Sequence, residues 1–327
     1  MQLFKKGTLI ILIFCNVYPM RRNLNYEKKS ERVTQAQKIV GLLTVRNEQI
    51  LIEQCLRALS LITDSIVILD DASDDDTAQI IKSLARSCNI EIILRKKKWY
   101  RDEPGDKNKL LEAGRKIGGT HFIFIDADEM FTANCVKNNY LRTKILRLKP
   151  GQKMHVYFYN LWRNTNCYRD DDSPWKPRYI NCIFCDDGKC FYKNNGFIHT
   201  PHIPTNLIGK TVKLKDPDYG LMHFQFVNWE NLLIKQAWYR CLERIRYPEK
   251  AINDINALYA PSKDETNLKV TQVPDDWFDH YNFIDSSVLE KPEVWRKKQV
   301  LEWFAQYGKQ QFVDLDIWDI DWSFDRA

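Results

Sequence analysis

The first strand-like segment of this chain, IVGLLTV, runs into TVRNEQ and not into a glycine-rich turn. Without Gly-x-Gly-x-x-Gly at that junction nothing cradles a dinucleotide pyrophosphate, and no Walker lysine loop stands in its place. A dehydrogenase is excluded on that ground, and the charge of any bound diphosphate has to be neutralised by other means. Nine cysteines, an odd number scattered over 327 residues, do not make a disulfide scaffold. Cys55 and Cys241 sit inside apolar patterns, which suits reduced thiols. Cys167, Cys182, Cys185 and Cys190 form one cluster whose Cys-x-x-Cys would open a zinc site. No second such pair or His pair completes it, so free thiols or a local disulfide are preferred. Outside the N-terminus no apolar run approaches the length that spans a bilayer. The start, MQLFKKGTLIILIFCNVYPMRR, has basic flanks around a short apolar stretch and no clear small-x-small cleavage site. A cytoplasmic protein is expected, with peripheral membrane association through this segment as the alternative. The net charge of +6 is mild. It suits an anionic ligand or a membrane surface and is no signature of nucleic-acid binding.

What is present is an ordinary globular composition, 44% hydrophobic and 28% charged, long enough for one large domain or two smaller ones. Aromatics are abundant at 13%, which buried rings or sugar-stacking surfaces would explain. From residue 38 the pattern alternates. IVGLLTV, SIVILD, IEIILR and HFIFID read as strands; EQILIEQCLRALSLI, AQIIKSLARS and NKLLEAGRKIG read as helices. Uniformly apolar strands separated by helices imply an α/β fold with a mostly parallel sheet covered on both faces, and ligands at the carboxyl ends of its strands. Three polar strand ends fall on that edge: Arg46-Asn47-Glu48, Asp70-Asp71 and Asp126-Ala127-Asp128. Asp-x-Asp occurs six times in the chain, but only Asp126/Asp128 ends the fourth strand of the alternating unit. On an extended chain the two carboxylates would share a face and repel unless something positive lay between them. A divalent cation, Mn²⁺ or Mg²⁺, would serve, and would neutralise a diphosphate as well.

TVRNE, ILDDASDDDT, DKNKLLEAG and FIFIDADE, in this order and spacing, resemble the family-two glycosyltransferases of GT-A fold. The resemblance covers about residues 38–131 and implies a transferase that takes a sugar from a nucleotide-sugar donor. It implies that Thr44, Arg46 and Glu48 hold the nucleotide and that Asp70 or Asp71 contacts the nucleobase, often a uracil N–H. It implies that Lys107 and Asn108 lie near the donor. Asp126 and Asp128 match the metal pair, Asp126 also touching the nucleotide and Asp128 the preferred direct ligand. GLMHFQFVNWENLLIKQAWYR is similar to a His-aromatic stretch and Lys-bearing helix of some branches. That adds His223 as a metal ligand and Lys235 as a diphosphate partner. Helix capping is the competing reading for Asp70 and Asp71, a solvated helix start for Lys107, and a satisfied core histidine for His223.

The acceptor, whether glycan, lipid or protein, is not legible, and neither is the base that takes its proton. After the metal pair the chain shows GFIHTP with no acid in it, leaving Asp186 and Asp187 as weak candidates. Two other classes stay open: a nucleotidyltransferase, against which the glycine-free TVRNEQ counts, and a catalytically degenerate sugar- or nucleotide-binding module. Three regions are expected: residues 1–36, an α/β domain over 37–230, and a helical, aromatic-rich extension over 231–327. The acidic VDLDIWDIDW near the end is expected as an edge strand or a packed tail.

Overall fold

A computed structural model describes residues 36–194, 200–279, 281, 289 and 291–323. The first 35 residues, which carry the expected membrane-associating stretch, lie outside these, as does His199. The four expected strands fall where their apolar runs lie: β1 (Ile39–Val45), β2 (Ser65–Asp70), β3 (Ile90–Arg95) and β4 (His121–Asp126). They pair in parallel in the order β3-β2-β1-β4. Between them run α1 (Ile52–Ser60), α2 (Thr77–Leu84) and α3 (Glu103–Lys116). The last begins inside the stretch read as polar loop, because Asp102 accepts from the Gly105 N–H at 3.1 Å and Pro104 sits in the first turn.

Alternation along the strands sends odd and even residues to opposite layers. Ile39, Leu43, Ile123 and Ile125 pack in one core with α1 and α2. Val40, Leu42, Phe122 and Phe124 pack in the other with Leu110 and Leu111 of α3, Tyr192 and Leu207. Beyond β4 the sheet becomes mixed. The short β5 (Glu129–Phe131) is followed by α4 (Tyr140–Ile145), β6 (Lys153–Asn160), β7 (Cys167–Arg169), β8 (Arg178–Cys185), β9 (Thr211–Lys213) and β10 (Gly220–His223). β8 runs antiparallel to β4 and β6, while β10 runs parallel to β6. α5 (Trp229–Arg246), capped by Asn228, α6 (Ile252–Tyr259), β11 (Val270–Gln272) and α7 (Trp295–Tyr307) complete the elements used here.

Residues 37–327 group as one compact unit. Ala237, Trp238 and Cys241 of α5 share a core with Val300, Trp303 and Phe304 of α7 and with Phe312, Leu315 and Ile317. The acidic tail is therefore packed, and no strand is assigned to it among the described residues. The eight described cysteines are free thiols. Cys182 and Cys185 are buried in β8, apart from any cysteine metal cluster among the described residues. No helix among the described residues is long and apolar enough to cross a membrane.

Candidate functional site

β1 leads to β2 on one side, and β4 pairs with it on the other, so the sheet's connections part between β1 and β4. A crevice forms at the carboxyl ends of strands where that happens. Thr44 and Asp126 are register partners there. A cavity of about 690 Å³ opens above them, lined among others by Thr44, Arg46, Glu48, Asp71, Lys107, Asp126, Asp128, His223 and Lys235.

The strand argument for Asp126 and Asp128 holds only as far as Asp126. β4 ends there and a two-residue turn follows, so the carboxylates do not alternate along one strand. Asp126 keeps the face of Phe124 and reaches toward His202, whose Nε2 lies 3.7 Å from Oδ2; its side chain stays 49% exposed. Asp128 turns toward β10 and α5. Its Oδ2 lies 3.0 Å from Lys235 Nζ and 3.5 Å from His223 Nε2. The positive charge required beside Asp128 is thus supplied by side chains. Burial opposes its ionisation, but Lys235 and His223 outweigh that and hold it well below the usual carboxylate range. Lys235 answers in kind: burial alone would lower it, and Asp128 pushes it up to about 12. Asn160 donates its amide N–H to Trp175 O at 2.9 Å, which turns the amide oxygen to His223 Nδ1, also at 2.9 Å. Nδ1 therefore donates to Asn160, and Nε2 faces Asp128.

The two adjacent aspartates of β2 take different parts. Asp70 is buried; its Oδ1 accepts from the Ser73 N–H at 2.9 Å and its Oδ2 meets Arg95 Nε at 3.1 Å, so it closes the turn after β2 and does not cap α2, whose N-cap residue is Asp76. Asp71 lines the cavity and pairs with Lys96 at 2.8 Å, its carboxyl raised by burial. Arg46 donates to Asp71 O and Ala72 O, and its guanidinium lies between the rings of Trp99 and Trp295, 5.2 and 5.1 Å from their centroids. Lys107 is not a solvated helix start. It is buried, donates to Thr200 O and Pro201 O at 2.7 and 3.1 Å, and sits over the Phe124 ring. It anchors the segment that carries His202. Asn108 exchanges two hydrogen bonds with the Tyr192 backbone and is absent from the cavity lining.

Asp186 and Asp187, the base candidates, do not line the cavity. β8 is antiparallel to β4, so its end lies at the amino edge of the parallel strands, where the Asp186 N–H donates to Thr120 O. Asp186 is bound there by Arg115, at 2.7 and 2.8 Å. Sequence reading also missed several lining residues. His202 follows the acid-free GFIHTP by one residue. Glu129, the third acid of DADE, accepts from the Asp126 N–H at 2.9 Å and contacts His202 Nε2 at 3.2 Å. Ligand atoms of Asp126, Glu129 and His202 lie within 4.8 Å of one another. Burial lowers His202, but Glu129 and Asp126 overcome it and raise the imidazole. From α7, Arg296 reaches Glu48 at 3.5 Å and also pairs with Glu293.

Burial raises the Glu48 carboxyl to about 8 against the opposing pull of Arg296. Its folded form thus holds a proton that the unfolded chain releases at ordinary carboxylate pH. Stability tied to this group is present at low pH and falls as pH rises from about 4.5 to about 8. Glu48→Gln is expected to flatten that part of the stability–pH curve, measured by urea unfolding across the range. An unchanged slope would contradict the assignment.

Residues 42–140 match the family described as glycosyl transferase family 2. Over that segment the chain is similar to the family-two glycosyltransferases. It is similar to the SPbeta prophage-derived glycosyltransferase SunS of Bacillus subtilis (strain 168), 26% identical over 140 residues, covering 39% of this chain and 31% of that protein. The glycosyltransferase SunS of Bacillus phage SPbeta matches with the same figures. The chain thus spans about a third of the length of the curated relatives it matches. Among solved structures, S. aureus TarS 1-349 aligns over 85% of this chain and 83% of its own, at 11% identity and a TM-score of 0.37. Glucosyl-3-phosphoglycerate synthase from Mycobacterium tuberculosis, in complex with Mn²⁺, UDP and glucosyl-3-phosphoglycerate, aligns over 39% and 44% at 18% identity and a TM-score of 0.25. The matched segment holds the end of β1, all of β2 to β4, Asp126 and Asp128. His202, His223 and Lys235 come from outside it.

Proposed function

We propose that this protein transfers a sugar from a nucleoside-diphosphate sugar, UDP-linked, to an acceptor hydroxyl or comparable nucleophile with the help of a divalent metal. The observation that carries the reading is the meeting of Asp126, Asp128, His223 and Lys235 in one cavity with Thr44, Arg46 and Asp71. Asp71 is the group for the nucleobase, since a carboxylate accepts from uracil N3–H whereas adenine N1 only accepts. Lys235 supplies positive charge beside the diphosphate. Glu48, protonated near neutrality, donates to a nucleotide oxygen. The aromatic lining, including Trp175, Trp238 and Tyr239, suits a stacked ring of the acceptor or donor.

The residues present fit Mn²⁺ or Mg²⁺. Asp126 is half-exposed to the cavity, carboxylate oxygens and imidazole suit such ions, and Asn160 orients His223 as a ligand's outer partner does. Asp126, Asp128 and His223 would hold the ion; Asp126, Glu129 and His202 are a second set, favoured by their mutual proximity. When bound, the ion supplies charge stabilisation for the leaving diphosphate.

The two sets are separated by calorimetric titration of Mn²⁺ and UDP. His223→Ala is expected to weaken both together, with the fold intact. An unaltered titration in a well-folded His223→Ala protein would return that residue to the core, and loss in His202→Ala instead would select the second set.

A further inference from the structure

The edge of the sheet opposite the cavity has a character the transferase reading does not use. Three loops are stitched together there. The Asn206 side chain accepts from the Phe191 N–H at 2.7 Å and donates to Lys189 O at 3.4 Å, while Thr205 accepts from the Lys193 N–H at 3.0 Å. Gly209 lies so close to Gly151 that a Cβ would come within 2.0 Å of the Gly151 carbonyl oxygen. The Lys153 N–H and Nζ reach Lys210 O and Leu207 O at 3.3 and 3.4 Å. At the crest of this pinned loop Ile208 is 94% exposed, and Phe191 beside it is 45% exposed.

The loops stitched together here, with the first residue of β6, also carry Lys149, Lys153, Lys189, Lys193 and Lys210. β9 continues from the same loop along β6, and with α4 it walls a cleft of about 440 Å³ that adds Lys144, Arg147, Lys213 and Lys215 against one acid, Asp216. None of these nine cations forms an ion pair among the described residues. Lys38, Lys96, Arg115 and Lys137, elsewhere on the protein, each have a carboxylate partner. A single exposed aliphatic residue is ordinary. An exposed isoleucine and phenylalanine on hydrogen-bonded loops among cations that have no carboxylate partner is the pattern of a surface that meets both charge and hydrocarbon. A soluble polyanion would use the lysines and leave Ile208 unexplained; a bilayer with acidic headgroups uses both.

We propose that this edge docks the protein on an anionic membrane surface, Ile208 and Phe191 entering the headgroup boundary and the lysines contacting phosphate or carboxylate groups. The nucleotide cavity, at the other ends of the strands, then opens away from the bilayer.

The test is co-sedimentation of the full chain with vesicles. Binding is expected to phosphatidylcholine vesicles containing about one third phosphatidylserine, where surface charge attracts basic clusters. It is expected to be absent with phosphatidylcholine alone and to fall with added salt. Ile208→Asp and the pair Lys149→Glu with Lys210→Glu should each lower the partition on the order of ten-fold or more. Lys98→Glu, a charge reversal at the carboxyl edge, should leave it unchanged. UDP affinity measured on the same variants should not move, so a failed donor reading and a failed membrane reading give different results. Equal binding to neutral vesicles, an unchanged partition in the Ile208 and lysine variants, or binding to soluble polyphosphate without vesicle binding would overturn the proposal.

Discussion

Asp128→Asn should cut release of nucleoside diphosphate by about 100-fold or more, the scale of losing one charge-stabilising group at a leaving group. Asn keeps the shape of the side chain and an oxygen that can still accept from Lys235, so it removes charge while sparing the packing. Asp128→Ala is the contrasting probe. It strands Lys235 as a buried cation whose nearest carboxylate, at 3.0 Å, has gone; such a loss costs about 3–5 kcal/mol of stability. Steady-state turnover read beside near-ultraviolet circular dichroism separates the two effects. An Asp128→Asn protein that is fully folded and fully active would remove Asp128 from the chemistry.

Asp71→Ala should lose about ten- to a hundred-fold in affinity for UDP and nothing for ADP, the range expected for one hydrogen bond to a charged group. Its neighbour should behave otherwise. Asp70→Ala leaves the Ser73 N–H without its acceptor and Arg95 without its carboxylate, though Arg95 keeps its bond to Ser73 O. It is expected to cost about 1–3 kcal/mol of stability while the folded fraction binds UDP as before. Calorimetry with both nucleotides, together with thermal unfolding, distinguishes these outcomes. Equal affinity for UDP and ADP, unchanged in both variants, would refute the assignment of Asp71.

The strands were legible because β1, β2 and β4 are buried on both faces and read as apolar runs bounded by polar turns, while β3, half-exposed at the sheet's edge, still keeps an isoleucine-rich run. Their ends were legible for the same reason, which is how Arg46, Glu48, Asp71 and Asp126 could be grouped before any geometry. The turn after Asp126 was not legible. Asp-Ala-Asp-Glu reads equally as two more strand positions, and only tertiary pull toward Lys235 and His223 decides where Asp128 points. β8 misled the search for a base, since its direction depends on pairing with β4 and β6 and its own residues carry no sign of it. His202 lies in an irregular segment whose place is set by Lys107 holding the carbonyls of Thr200 and Pro201. Arg296 and Trp295 arrive from the far end of the chain through the tryptophan-rich core of α5 and α7. No local periodicity announces any of these.

The central claim, a metal-assisted transfer from a nucleotide sugar in the cavity at the carboxyl ends of β1 and β4, is tested most directly by one panel measurement. Release of nucleoside diphosphate is followed from a set of nucleotide sugars with Mn²⁺, Mg²⁺ or excess chelator, on the native protein and on Asp128→Asn. The account predicts release from a UDP-sugar, dependent on the metal, abolished by chelator and reduced about 100-fold or more in the variant. Full turnover in excess chelator, or equal turnover in the variant, would contradict it.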